Sequence, residues 1–533
     1  MVVGGGAGGL ACAIDLQRRG AQVTVLERDV RIGGKIRREA VAGRAIDAGP
    51  TVLTMRWVFE GLFADAGTSL DEQVQLRALS VLARHAWADG SRLDLFAEPA
   101  RSAEAIAAFA GATEARGFVA FCRHTEAIYR AVAGPFIRSP RPTLPGLIGA
   151  LGLRGLKDIA AVDWHRSMWK ALGDFFKDPR LRQLFGRYAT YYGSDPFSAP
   201  ATLNLIAHVE QLGVWAVQGG MFALAEALER VAAGLGVEIR CGAEVAEVRA
   251  DGRVRGVLVA GEVIAADAVV CAGDVAAVAE GRLGAACARA VTGPPRGRRS
   301  LSAVTWAAVA EVRGWPLERH NVCFSRDYGR EFAALAAGRL ADEATVYVCA
   351  QDRGEGAREA RPRVADEPVL QGEAAGAERL LILVNAPARG GEGCFTLSEI
   401  EACQRAMVQL LGRCGLTVEL DAGTTTVTTP DVFAARFPGT GGGLYGAATR
   451  GFTDSLTRAG SRTKLAGLYL AGGSVHPGAG VPMATLSGRY AAAAVCEDLK
   501  LPDRAAPGST AGSRPGGTRG GTSTRSATTG DAG

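Results

Sequence analysis

Gly4, Gly6 and Gly9 stand at a G-x-G-x-x-G spacing directly after the apolar pair Val2-Val3. That spacing suits a phosphate cradle. The first glycine permits the tight turn, and the second lets bare backbone approach a pyrophosphate. The third lets a following helix lie close to its strand, with its N-terminus aimed at the anion. In a chain with 71 glycines the pattern alone is weak. Here it stands in the right context, because Leu10, Ala13, Ile14 and Gln17 keep a helical period and Gln22–Glu27 reads as a second strand. Glu27 ends that strand, placed to accept hydrogen bonds from a ribose, with Arg28 beside it. A second glycine pair, Gly33-Gly34, precedes Lys35; the lysine is either a cofactor contact or an ordinary surface residue.

Near the other end, Gly473 opens a Gly/Pro-rich run through His476, Val481 and Met483, followed by the helical stretch 484–499. Glycines let a backbone pass close to a flat ligand, and the helix start points amides at it. The plain alternative is a turn before a core helix. His476 has the chemistry of a base, but beside such a turn it reads more readily as a hydrogen-bonded structural residue.

The elements that must hold these motifs form a long, mostly globular chain. Its 533 residues are 48% apolar, enough for two or three domains. A net charge of +5, with both signs dispersed, argues against a nucleic-acid surface. Eleven cysteines without a C-x-x-C pair form no disulfide framework and no zinc or iron–sulfur site, so no metal is expected. No signal peptide is evident at Met1, and the uncharged run 465–488 is too rich in Gly and Pro for a spanning helix.

Nucleotide-fold patterns recur three times. After the first, residues 221–235 read as a helix, 237–240 as a strand, Asp251-Gly252 as a hairpin turn and 268–273 as a buried strand. The stretch 82–214 is helix-rich and aromatic, 300–312 and 345–349 alternate like strands of another sheet, and 353–378 reads as an exposed charged loop. The fold class expected is α/β: a discontinuous Rossmann-like dinucleotide domain (1–81, 215–290, 455–499) with an inserted α+β substrate domain (82–214, 291–454). Residues 500–533 form a disordered tail. Ligand sites tend to lie between such domains.

Gly33-Gly34-Lys35 is similar to the basic glycine pair of FAD proteins of the glutathione-reductase type, in their amine-oxidase and phytoene-desaturase branch. The 473–483 run resembles the flavin-contacting loop of carotenoid desaturases. The run from Ile46 through Asp47, Gly49, Pro50 and Thr51 to Met55, Arg56, Trp57 and Phe59 resembles the hydroxyneurosporene desaturase subgroup of that family. The likeness covers about residues 1–499. It implies FAD as the cofactor, with Val245 joining Gly4, Gly6, Gly9, Glu27, Arg28, Gly33, Gly34, Lys35, Gly473, Val481 and Met483 as contacts. It also implies 3,4-desaturation of an acyclic hydroxylated or methoxylated carotenoid, with hydride passing to flavin N5 and a proton lost. Asp47 is a weak candidate base, Arg56 a candidate donor to the terminal oxygen, and Trp57 either pocket wall or core. Electrons would leave to oxygen or a quinone, since no second nucleotide motif offers a nicotinamide site. A cytoplasmic protein resting peripherally on the inner membrane is expected. Leu144–Leu153, with Arg154, Lys157, Trp164, Arg166 and Trp169, is either the interfacial patch or a buried helix pair. Rival readings are a desaturase or isomerase acting on phytoene or another carotenoid, an amine oxidase, and a flavin-less lipid carrier of the same fold.

Overall fold

The structure is a computed structural model that describes residues 1–140, 163, 165–354, 377–391, 395–451, 454 and 456–502. The two valines at the start do form a strand, Val2–Val3, and it lies at the centre of a five-stranded parallel sheet. The order across that sheet is Leu468–Leu470, Val269–Cys271, Val2–Val3, Thr24–Leu26, Glu238–Arg240. Two residues suffice because both neighbours pair with them, and the N-terminal ammonium donates to the Ala268 carbonyl at 2.9 Å. Segments some 200 residues apart thus share one sheet, as the repeated nucleotide pattern predicts.

Helix Ala7–Arg18 follows the glycine turn and is buried along nearly its whole length. The last helix, Val481–Leu499, lies directly on it. A methyl at Gly488 would sit 1.9 Å from the Gly8 carbonyl oxygen, and one at Gly8 would sit 2.8 Å from that of Ala484. The two helices therefore meet backbone to backbone, fixing the C-terminal loop against the N-terminal turn. The expected helix at 221–235 is Phe222–Gly234, and the expected hairpin is Val245–Asp251 with Arg253–Val259.

The second sheet has seven strands in the order Thr425–Thr428, Ser302–Ala310, Glu378–Ala386, Val346–Ala350, His320–Cys323, Val81–Ala86, Arg92–Phe96. Two of them come from the stretch read as helix-rich. Their alternation is masked by Arg84, His85 and Asp94, which face partners rather than water. One face of this sheet packs against helices Ala112–Val132, Met168–Phe175 and Pro179–Gly186, and the other against Leu397–Arg413. The charged run 353–378 lies mostly outside the described residues. At its ends Arg353 is paired with Glu378, which is buried at the start of a strand rather than exposed in a loop. The expected tail beyond 502 and the 144–153 patch also lie outside the described residues. No helix among the described residues is long and apolar enough to cross a membrane. Nor do they contain a cluster of three metal-ligating side chains.

Candidate active site

The glycine turn is held by its neighbours through backbone contacts. Gly4 donates to the Leu26 carbonyl at 2.8 Å, and Gly33 donates to that of Gly5 at 2.9 Å. Gly34 brings its backbone onto Gly6, where a methyl would lie 3.3 Å from the Gly6 Cα. Both Gly33 and Gly34 hold positive φ, +112° and +58°, where a side chain would be strained. A methyl at Gly9 would fall 1.9 Å from the Gly4 carbonyl oxygen, so this position packs helix on strand as its spacing predicts.

Two positions differ in kind. At Gly6 and at Gly473 a methyl would meet nothing nearer than 3.9 Å, so the space over these bare backbones is open. Gly6 is the N-cap of the first helix and Gly480 that of the last, and neither helix has a side-chain cap. Two uncapped helix starts beside open glycine backbone form a cradle for an anionic, flat ligand, so the residues present fit FAD.

Glu27 Oε2 accepts from the Gly5 N–H at 2.6 Å and Oε1 from Asp29 N–H at 2.9 Å. Each oxygen keeps a lone pair for a ribose hydroxyl. Arg28 donates to the Ala435 and Arg436 carbonyls, tying the turn to a distant loop. Val245 is buried in the core beside Leu26, two residues after Ala243, which donates to the Glu27 carbonyl at 2.8 Å. Lys35 is not a surface lysine. Its ammonium donates to the Leu444 carbonyl at 2.6 Å, over the Phe437 ring, and burial pulls its pKa down.

The candidate catalytic residues fare differently. Asp47 is buried, and its carboxylate accepts from the Met221 and Phe222 N–H groups at the start of helix Phe222–Gly234 while Arg38 lies 3.5 Å away. Burial pushes its pKa up, but every contact is structural and it does not line the cavity described below. Arg56 also lies off the cavity. Its guanidinium is held by Glu60 at 2.7 Å and Asp71 at 2.5 Å. Trp57 packs against the core with Arg138 over its ring at 4.3 Å, so it is core rather than pocket wall. His476 binds the Ser139 carbonyl at 2.8 Å, stacks on Tyr490 and meets Phe136 edge-on. Burial lowers its pKa, and its place is structural.

A cavity of about 330 Å³ opens between strands of the seven-stranded sheet and the loop before the last helix. One end is formed by Gly49, Pro50, Thr51 and Met55 from the sequence motif, with Gly480, Val481 and Met483 from the C-terminal loop. Val132, Phe136, Leu203, Ile206, Val209, Leu381 and Leu383 supply apolar walls. Among the described residues lining it there is one carboxylate, Glu210, and one cation, Arg187. Glu210 is the penultimate residue of helix Leu205–Gln211 and accepts from the Tyr188 hydroxyl at 2.6 Å. Burial pushes its pKa up to about 7, partly opposed by the Tyr188 hydrogen bond and the Arg187 charge. Such a carboxyl can take or release a proton near neutrality. Sequence reading missed both residues, because Arg187 and Glu210 sit in ordinary-looking helical stretches with no motif.

The flavin-containing amine oxidoreductase model matches residues 7–496. The chain belongs to that family. Its members bind flavin, and this protein is an FAD-dependent oxidoreductase. It is 49% identical to the hydroxyneurosporene desaturase of Rubrivivax gelatinosus, over 99% of this chain and 98% of that one. It is 42% identical to the Rhodobacter capsulatus protein of the same name, over 93% and 97%. A 4,4'-diapolycopene oxygenase of a Methylomonas species is 32% identical, over 94% and 98%. Among solved structures, an oxidoreductase of Methanosarcina mazei superposes with a TM-score of 0.58 at 17% identity, covering 93% of this chain and 99% of that one. A putrescine oxidase also reaches 0.58, at 16% identity over 93% and 98%. These superpositions speak to the fold.

Proposed function

We propose that this protein desaturates an acyclic carotenoid bearing a hydroxyl or methoxy group at one end, removing two hydrogens from adjacent carbons near that end. The observation that carries the reading is the cavity. It is walled largely by hydrocarbon, begins at the 46–59 run and the C-terminal loop, and among the described residues carries one carboxylate and one guanidinium. The names of the relatives at 49% and 42% identity support the same substrate class. An amine substrate fits less well, because the cavity walls are mostly hydrocarbon.

When bound, FAD supplies the acceptor for a hydride. The chain's own residues do the rest. The open backbone at Gly6 and Gly473 and the helix starts behind Gly6 and Gly480 hold the cofactor, with Glu27 offered to the ribose. The apolar walls align the polyene and keep water from the carbon that loses hydride. The Glu210 carboxylate takes the proton from the adjacent carbon, leaving the electron pair of that C–H bond to form the new double bond. Tyr188, donating to Glu210, holds the carboxylate in place. The electrons pass on to oxygen or a quinone, and the polyene is drawn from a bilayer through peripheral contact. On this reading residues 1–81, 215–290 and 455–499 make the cofactor domain, and 82–214 and 291–454 the substrate domain.

The test is turnover in liposomes, with product followed by the red shift of the lengthened polyene. 1-Hydroxyneurosporene should be desaturated aerobically or with a quinone, and not anaerobically with NAD(P)+ as sole acceptor. A protein that carries FAD yet oxidises an alkylamine and leaves the polyene untouched refutes the proposal.

A further inference from the structure

Arg187 is 6% exposed and begins the short turn Arg187–Tyr192, yet it has no carboxylate partner within ion-pair distance among the described residues. Its guanidinium lies over the rings of Tyr191, at 5.5 Å, and Tyr347, at 5.3 Å, and borders the cavity. Its Nε is buried without a hydrogen-bond partner. Several other arginines find acceptors: Arg37 meets Glu39, Arg489 meets Asp15 and Asp65, and Arg458 meets three carbonyls, whereas half-buried Arg182 also has an unpartnered Nε and lies over the Trp169 ring at 5.9 Å. Leaving a buried cation unpaired is costly, and the aromatic faces offset part of that cost without satisfying its N–H donors.

Several neighbouring polar groups are already engaged, whereas the Ser302 hydroxyl, which also lines the cavity, is likewise buried without a partner. The Tyr347 hydroxyl is engaged at 2.7 Å by both Thr51 and His320. Burial holds His320 neutral, with its pKa lowered to about 3. Glu210 is occupied by Tyr188, and Glu331 by Ser325 and Thr345.

Resting on the carotenoid reading above, we propose that Arg187 is the donor that recognises the oxygen at the end of the substrate. A guanidinium is donor-only, so a hydroxyl and a methyl ether are equally acceptable, since each offers an oxygen lone pair. A hydrocarbon end leaves the donors unpaired and is rejected. Arg187 thus takes the role that the sequence suggested for Arg56.

The experiment compares 1-hydroxyneurosporene, its methyl ether and neurosporene in competition in liposomes, with wild type, Arg187→Met and Arg187→Lys. Bound flavin and near-ultraviolet circular dichroism monitor the fold. Wild type should favour both oxygenated substrates over the hydrocarbon, and Arg187→Met should shrink that preference by about 10- to 100-fold. Arg187→Lys, with one compact donor head, should fall between. Should the Met variant fail to fold, the Lys variant decides: an undiminished preference there overturns the inference. A folded Met variant with wild-type preference also overturns the role of Arg187 while leaving the desaturase reading intact. Equal rates for all three substrates with wild type overturn the end-group reading, and this inference with it.

Discussion

Replacing Glu210 with Gln removes the proton acceptor while keeping the shape of the side chain and an oxygen for Tyr188. Glu210 has an ordinary pKa of 4.5, and burial lifts it to about 7 in the fold. A carboxyl with a higher pKa folded than unfolded binds its proton more tightly in the native state. Its presence therefore costs nothing below about pH 4.5, and the cost grows as pH rises to about 7 and is full above. The shift corresponds to at most roughly 3 kcal/mol. Glu210→Gln should thus be more stable than wild type at pH 8, by up to that amount, and no more stable at pH 4. Urea unfolding of the flavin-loaded proteins at the two pH values measures this. Activity should move the other way. Wild-type kcat/KM should climb about tenfold per pH unit below pH 7 and level off above it, because only the carboxylate is a base. The Gln variant should lose about 10²- to 10⁴-fold, and its profile should be flat across that range. A wild-type profile without a step near 7, or a Gln variant within about tenfold of wild type, refutes Glu210 as proton acceptor. Equal stabilities at pH 8 refute the burial argument itself.

Gly6→Val should fold and lose its flavin absorbance, since the new side chain fills open space over the cradle and not the protein's own packing. Gly9→Ala should instead unfold at lower urea, by about 3 kcal/mol or more, because its methyl would strike the Gly4 carbonyl. Asp47→Ala should cost about 2 to 3 kcal/mol in the same assay, because it removes the acceptor of two buried N–H groups at a helix start. The folded fraction should keep the pH step near 7. Arg56→Met should change stability by under about 1 kcal/mol and leave the preference for oxygenated substrates intact, as expected for an arginine held by two outer carboxylates. Charges placed at Leu147 and Leu151 should abolish flotation of the folded protein with liposomes, and flotation equal to wild type would refute that stretch as the membrane contact.

The glycine turn and its helix were legible because their signals are local. Turn, helix start and strand end sit within thirty residues, and Gly9, Gly33 and Gly34 are each required by a close backbone contact or a positive φ. The pairing of Gly33-Gly34 with Gly5-Gly6 is a backbone contact that only glycines permit, so the spacing carried it. Sheet membership was partly legible, since apolar runs mark strands, but the strands at 81–96 hid their period behind polar residues that turn out to be partnered.

The sequence by itself determined the turn-and-helix cradle, the α/β class and the return of the chain to one parallel sheet, because glycine spacing and side-chain periodicity are properties of neighbours along the chain. It even held the clue against Arg56, which stands four residues before Glu60 on one helix face. Which charges face the cavity depends on contacts across the fold. Arg56 and Arg187 are the same residue type, and so are Asp47 and Glu210 in charge. Arg56 and Asp47 are tied to partners outside the cavity, whereas Arg187 and Glu210 face an apolar cavity assembled from segments between residues 49 and 483. Desolvation and the absence or presence of a partner depend on distance in space, and no spacing along the chain encodes that.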